Sequence, residues 1–318
     1  MVFSASVSPH LAAKSLYYGA IQCPSTNSLH LPEIADIARD IKTIQGTVSE
    51  LHTSQLDAED QKIVDWLAPS DLCPNYTALK NEHLATRQLG TGKWFLESGK
   101  FQKWQDAKGE TLFCPGIPGA GKTIMASIVI DHLLRSRQSK DDTSVAYVYF
   151  RTIWEDKQSP DKLLGSILQQ LVQHQEGVPQ SVKDLWVRHK GAQSRPQTEE
   201  LLEALNSVIS LKQRTFIIID ALDECQDNNR CRTDFLEAIL SLQRETPLNF
   251  LATSRPQDVE KMFDGLTRLE ISATSSDMDM YVDSHLSGWD TRRCGAMSLE
   301  LKQRIKSEVT KAADGMYV

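Results

Sequence analysis

TLFCPGIPGAGKTIMASIVIDHLL, residues 111–134, is the stretch whose reading decides the fold. Gly116 to Thr123 match G-x-x-x-x-G-K-[ST] in full. The short apolar run 111–114 leads in as a strand, and the segment 123–134, helical in period, leads out. Strand, glycine loop and helix in that order make a phosphate cradle. Glycines let backbone N–H groups turn inward around phosphate oxygens where a Cβ would obstruct them. The helix that follows aims its positive N-terminal end at the same anion. Gly116, Ile117, Pro118, Gly119, Ala120, Gly121, Lys122 and Thr123 are therefore the candidate nucleotide-binding residues. Lys122 is placed to reach the β- and γ-phosphates, and the Thr123 hydroxyl to ligate Mg²⁺.

Outward from this loop, apolar strands alternate with helical segments. Val145–Phe150, Thr215–Asp220, Leu248–Thr253 and Leu266–Ile271 read as strands; Leu163–Val172, Leu201–Leu211 and Asp234–Leu242 read as helices. Continuous apolar strands separated by helices imply βαβ units and a parallel sheet covered on both faces, an α/β fold. Two strand ends carry chemistry, and ligands of open α/β sheets bind at the carboxyl ends of the strands. Phe216–Ile219 are four apolar residues followed by Asp220, the candidate Mg²⁺ partner. Asp223 and Glu224 follow closely, and either could orient and deprotonate an attacking water. Thr253-Ser254-Arg255-Pro256 ends another strand and offers Arg255 to a γ-phosphate.

Composition narrows the class. The chain has 318 residues, room for roughly two domains. With 40% hydrophobic and 24% charged residues it reads as globular rather than disordered. A net charge of −7 argues against a generic nucleic-acid surface. No apolar run approaches the roughly 20 residues that span a bilayer, and the N-terminus carries no apolar core of signal-peptide length. Cys23, Cys73, Cys114, Cys225, Cys231 and Cys294 form no C-x-x-C pair, so reduced, mostly buried cysteines of a cytoplasmic protein are expected.

Upstream of the loop the texture differs. Residues 1–31 lack periodicity and read as a mobile arm. In 32–68, Ile34, Ile37, Ile41, Ile44, Val48 and Leu51 recur at alternating spacings of three and four, a heptad-like seam. That stripe suits packing on the chain's own domain, or pairing with a partner or a second copy as a coiled coil. The stretch 69–92, with Pro69, Pro74, Gly90 and Gly92, reads as linker-like within a pre-core segment 69–109. The tail from Asp277 to Ala313 reads as helical.

These motifs carry a resemblance. GIPGAGKT, then FIIIDALDEC, then LATSRP, in that order and spacing, resemble the NACHT-type NTPases of the STAND class. They are most similar to fungal NLR-like proteins whose core is a nephrocystin-type N-terminal NACHT domain. LAPSDLCPNY, TRQLGTGKWFLES, AYVYFRTIWEDKQSPDKLLGSILQQL, DMDMYVDSHL and KAADGMYV agree with that family's flanking signatures. The resemblance implies a P-loop sheet of strand order 5-1-4-3-2 over 110–273, followed by a truncated helical region over 274–318. It implies an ATP/ADP-controlled signal-transduction switch with slow hydrolysis, whose output is oligomerisation or effector release. It also puts Arg87–Gly92 near the nucleotide base. One departure stands out: the family usually has glycine after the strand-end aspartate, and here it is Ala221. No N-K-x-D guanine reader is present, so ATP/ADP is favoured over GTP. The alternatives are a non-hydrolysing nucleotide-binding interaction module, a truncated regulatory fragment, or a metabolic kinase. Arg135, Arg137, Arg292 and Arg293 form no kinase-like lid motif.

Overall fold

Apolar strands that must bury both faces need helices on either side, and the chain is built that way. The computed structural model describes residues 58–68, 74–137, 142–152, 158–173, 175, 177–225, 230–292, 298–313 and 316. All of them fall in one unit, Thr53–Val318. The arm 1–31 and the heptad seam of 34–51 lie outside the described residues.

In chain order the elements begin with helices α1 (Ala58–Leu67), α2 (Tyr76–Thr86), α3 (Lys93–Glu97) and α4 (Gly99–Asp106). The core then runs β1 (Thr111–Pro115), α5 (Lys122–Arg137), β2 (Thr143–Tyr149), α6 (Pro160–Gln173), α7 (Gln180–Lys190), α8 (Thr198–Ser210), β3 (Arg214–Asp220), α9 (Cys231–Glu245), β4 (Leu248–Ser254) and β5 (Thr267–Arg268). Helices α10 (Ser275–Arg292) and α11 (Leu299–Ala313) follow. The sheet order is β2-β3-β4-β1-β5 and every pairing is parallel, the order expected for a P-loop NTPase. β1 and β4 are buried along their whole length, and β3 is buried from Thr215 onward. β5 is shorter than the segment 266–271 read as a strand. Its ladder nonetheless continues through Leu269 N–H to Phe113 O (2.9 Å) and Ile271 N–H to Pro115 O (2.7 Å).

The register explains why the chemistry collects at one edge. Cys114 lies opposite Thr253, Pro115 opposite Ser254, and Tyr149 opposite Asp220. The loop after β1, the acid of β3 and the polar end of β4 therefore emerge side by side. Beneath them, Trp104 of α4 is buried and donates its indole N–H to both Glu110 O and Phe250 O, each at 3.0 Å. This pins the pre-core helices to the start of the sheet.

Several elements differ from the sequence reading. The linker-like stretch 69–92 contains α2, with Tyr76 and Leu79 buried and Asn75 Oδ1 capping the Ala78 N–H at 2.9 Å. Pro74-Asn75 is a helix-start signal rather than a linker signal. Helix α7 was not read at all. It buries only Val182 and Leu185, too narrow a stripe to register as periodic.

Helix α1 is docked on the core rather than standing free. Ile63, Val64 and Leu67 are buried, and Gln169 donates to Val64 O (2.9 Å) and Ala68 O (3.2 Å). Arg195 donates to the carbonyls of Trp66 and Leu67. Buried Asp60 accepts the Val178 N–H (3.0 Å) and pairs with Lys183 (2.9 Å). The approach is close enough to require glycine: a Cβ on Gly165 would sit 2.7 Å from Leu67 O. Gly165→Ala is thus expected to destabilise the unit by about 1–3 kcal/mol despite alanine's better helix propensity. Denaturant unfolding checks this, and unchanged stability would contradict the docking of α1 on α6.

Candidate nucleotide site

The phosphate loop is shaped by its own glycines and lysine. Gly119 and Gly121 have φ of 76° and 83°, backbone that only glycine adopts without strain. Gly116 N–H donates to Ser254 O (3.1 Å), tying the loop's root to β4. The Lys122 ammonium donates to Gly116 O (2.8 Å) and Ile117 O (3.0 Å), so it lies across the loop it serves. Burial pulls the Lys122 pKa down, opposed by Asp223, Asp220 and Glu224 and reinforced by Arg255. That one lysine feels all four charged candidates shows that the fold has brought them together.

Asp220 is the buried acid of the site. Thr253 Oγ1 donates to its Oδ1 at 2.7 Å, and the Thr123 hydroxyl also bonds it. Burial lifts its pKa to about 6, against the hydrogen bonds from Thr253 and Thr123 and the field of Lys122. A fully buried carboxylate carries a desolvation cost that a divalent charge would offset. This donor set, two hydroxyls and a carboxylate behind a phosphate loop, fits a hydrated Mg²⁺ on a nucleotide.

The turn after β3 is strained where the family pattern departs. Ala221 has φ 55° and ψ 49°, a left-handed conformation that costs a residue with a Cβ about 1–2 kcal/mol and glycine almost nothing. Its N–H is held by Thr253 Oγ1 at 3.0 Å, which keeps the turn in place. The next residues form a tight 3₁₀ turn, Leu222–Glu224.

Asp223 and Glu224 then diverge. Asp223 is committed to Arg255: its Oδ1 accepts the Arg255 N–H (3.1 Å) and its Oδ2 lies 3.1 Å from Arg255 Nε. Arg255 is exposed. Glu224 instead points toward the end of β2, where its Oε2 accepts the Thr152 N–H (3.1 Å) and lies 3.4 Å from Thr152 Oγ1. Thr152 was missed in the sequence because 72 residues separate the two. Beyond it, Ser127 of α5 bonds the Tyr149 hydroxyl (2.8 Å), linking β2 to the helix of the phosphate loop.

The segment 87–92 lies against α10. Gly92 N–H donates to buried Asp277 Oδ2 at 3.0 Å. Arg87 Nε and Trp94 Nε1, which bracket this segment in sequence, are buried without a hydrogen-bond partner among the described residues. Orphaned buried donors of this kind fit a polar ligand edge. No group of three or more His, Cys, Asp or Glu side chains is placed to hold a metal by itself among the described residues. No helix among them is long and apolar enough to cross a membrane.

The family model described as nephrocystin 3, N-terminal, matches residues 90–255, more than half of the chain. No curated protein sequence matches. Similar solved structures include the ORC2 protein of Aeropyrum pernix in its ADPNP–ADP complexes, at 12% identity and a TM-score of 0.42, covering 69% of this chain and 56% of that one. The Walker-type ATPase paby2304 of Pyrococcus abyssi is 12% identical with a TM-score of 0.44, covering 68% of this chain and 62% of that one. The ORC1 protein of Aeropyrum pernix in complex with DNA is 15% identical with a TM-score of 0.41, covering 71% and 53%. The chain thus spans less than two thirds of the length of each.

Proposed function

The chain belongs to the nephrocystin 3, N-terminal family, and from that premise we propose that it is an ATP/ADP-controlled switch of the NACHT type with slow hydrolysis. The observation that carries the proposal is the meeting of Lys122, Thr123, Asp220, Asp223, Glu224 and Arg255 at one end of the sheet. Gly116 to Thr123 would hold the phosphates, and Thr123 with Asp220 would hold Mg²⁺. When bound, that ion neutralises charge on the β- and γ-phosphates. Lys122 exchanges its loop carbonyls for phosphate oxygens. Glu224, whose carboxylate is paired with no cation among the described residues, orients and deprotonates the water. Asp223 positions Arg255 at the mouth of the site, and the segment 87–92 would lie near the base. Helices α1, α10 and α11 belong to the same unit and would carry the nucleotide state away from the site, and the 34–51 seam would serve as an oligomer or partner contact.

Glu224→Gln is expected to keep nucleotide affinity and lower turnover by about 10²–10⁴-fold, since it removes only the base. Equilibrium binding and single-turnover hydrolysis of labelled ATP measure the two separately. Loss of turnover in Asp223→Asn but not in Glu224→Gln would move the base one residue and leave the rest of the site standing. One observation favours the second reading, a nucleotide-binding module without hydrolysis. The Glu224 carboxylate rests on Thr152 rather than over the phosphate loop. Absence of turnover in a wild-type chain that binds ATP tightly would decide for it.

A further inference from the structure

We propose that Cys225 and Cys231 are a redox-active dithiol that closes into an intrachain disulfide and thereby restrains the turn carrying Glu224. The two sulfurs are 3.9 Å apart, in direct contact. Both side chains are buried, Cys225 at 0% and Cys231 at 7% exposure. The other described cysteine, Cys114, is turned toward Leu112 O in β1 and offers no competing partner. The pair bridges two differently anchored pieces of structure. Cys225 closes the 3₁₀ turn, with its N–H on Leu222 O (3.2 Å) and the preceding Glu224 N–H on Ala221 O (2.8 Å). Cys231 opens α9, a helix fixed to the core by buried Phe235, Leu236 and Ile239. A bond between them would fasten the residue next to Glu224 to the sheet's covering helix. Forming a bond of about 2 Å from this contact requires the two side chains to rotate toward each other.

The chemistry needs a two-electron oxidant of the peroxide class. Cys231 has the greater exposure and is the sulfur such an oxidant reaches. Its sulfur attacks a peroxide oxygen, the O–O bond breaks, and the proton given up by the thiol joins the departing hydroxide as water, leaving a sulfenic acid. The Cys225 thiol then attacks the Cys231 sulfur, the S–S bond forms, and the sulfenic hydroxyl departs with the Cys225 proton as a second water. Two thiols are oxidised and one hydrogen peroxide is reduced to two waters. Exchange with a disulfide such as oxidised glutathione reaches the same state through a mixed disulfide, and a small dithiol reverses it.

The consequence for turnover rests on the reading of Glu224 given above; the disulfide itself does not. A base that must leave Thr152 to meet its water needs freedom in the 222–225 turn, and the cross-link removes it. The test uses the full chain, reduced and then exposed to hydrogen peroxide, with remaining thiols alkylated and the peptides mapped by mass spectrometry. The expected result is a Cys225–Cys231 linked peptide that dithiothreitol abolishes, with ATP turnover lowered about tenfold to a hundredfold and nucleotide affinity unchanged. Cys231→Ser should turn over at the reduced rate and ignore peroxide. Two separately alkylated thiols in the folded, peroxide-treated chain overturn the proposal, as does linkage of either cysteine elsewhere. A linked chain that turns over at the reduced rate overturns the control. Should reduced wild type show no turnover at all, the hydrolysis reading fails on its own. Hydrogen exchange then decides: slowed amides at Glu224 and Cys225 on oxidation support the restraint, and unchanged ones refute it.

Discussion

Lys122→Ala is expected to abolish tight Mg·ATP binding while leaving the fold in place. The lysine contributes a positive charge at the point where the β- and γ-phosphates would lie, and among the described residues its ammonium bonds the loop carbonyls of Gly116 and Ile117. Removing one member of a desolvated charge pair costs about 2–5 kcal/mol, or roughly 30- to 4,000-fold in Kd. Stability should change far less. The ammonium is itself partly desolvated, as the lowering of its pKa by burial shows. Losing its two hydrogen bonds is therefore offset in part by relief of a buried charge, leaving a net change of about 1 kcal/mol. Isothermal titration with Mg·ATP, beside a denaturant curve, separates the two effects. A folded variant with wild-type affinity would remove the phosphate site from this loop. A variant that fails to fold would instead show that Lys122 braces the loop through Gly116 and Ile117.

How much of this was legible in the sequence depends on the distance over which each feature is specified. The phosphate loop, β1 and α5 are local: strand, glycines and helix follow one another within 27 residues, 111–137, and each residue type has its own reason to be there. The apolar runs before Asp220 and Thr253 mark buried parallel strands for the same reason, and each observed strand differs from the sequence reading by a single residue at one end. β5 shows the limit. Its segment mixes apolar with polar and charged residues, and only Thr267–Arg268 hold strand geometry at the sheet edge, although the ladder bonds continue. Contacts made only by folding could not be read. Thr152 meets Glu224, Gly92 meets Asp277, and Cys225 meets Cys231 across a helix start, and nothing in the local pattern of any of these residues encodes the partner. Ala221 is an intermediate case. The sequence marked it as a departure from glycine, and the structure supplies the reason glycine is usual there, a positive φ. Arg255 was read as a γ-phosphate contact; its geometry adds that Asp223 holds it by backbone and side chain together.

Asp220→Asn should produce opposite changes in stability and in ligand binding, a combination few other substitutions would give. In the chain without Mg²⁺ or nucleotide, burial raises the Asp220 pKa from 3.8 to about 6. Above pH 6 the carboxylate is ionised in both folded and unfolded chains, and the folded one bears the full desolvation cost, about 3 kcal/mol for a displacement of that size. Between pH 6 and 3.8 the folded chain holds a proton that the unfolded chain does not, so stability rises as pH falls through this window. Below 3.8 both are protonated and the cost is gone. Asparagine resembles the protonated acid and can still accept the Thr253 and Thr123 hydroxyls. At pH 8 the variant should therefore be more stable than wild type by up to about 3 kcal/mol, at about 2–4 °C in Tm per kcal/mol. The difference should shrink as pH drops through 6 and vanish below about pH 4. Binding moves the other way, because the carboxylate that costs stability in the empty site is the charge a Mg²⁺ ion would meet. Wild type should gain stability on adding Mg·ATP, more so above pH 6 than below, while the variant gains only the Mg²⁺-independent part. Differential scanning calorimetry across pH 4–8, with and without Mg·ATP, tests both halves. A variant less stable than wild type at pH 8 without ligand would show that Asp220 is a structural anchor. A variant that keeps the full Mg²⁺-dependent gain would place the metal partner elsewhere at this sheet edge.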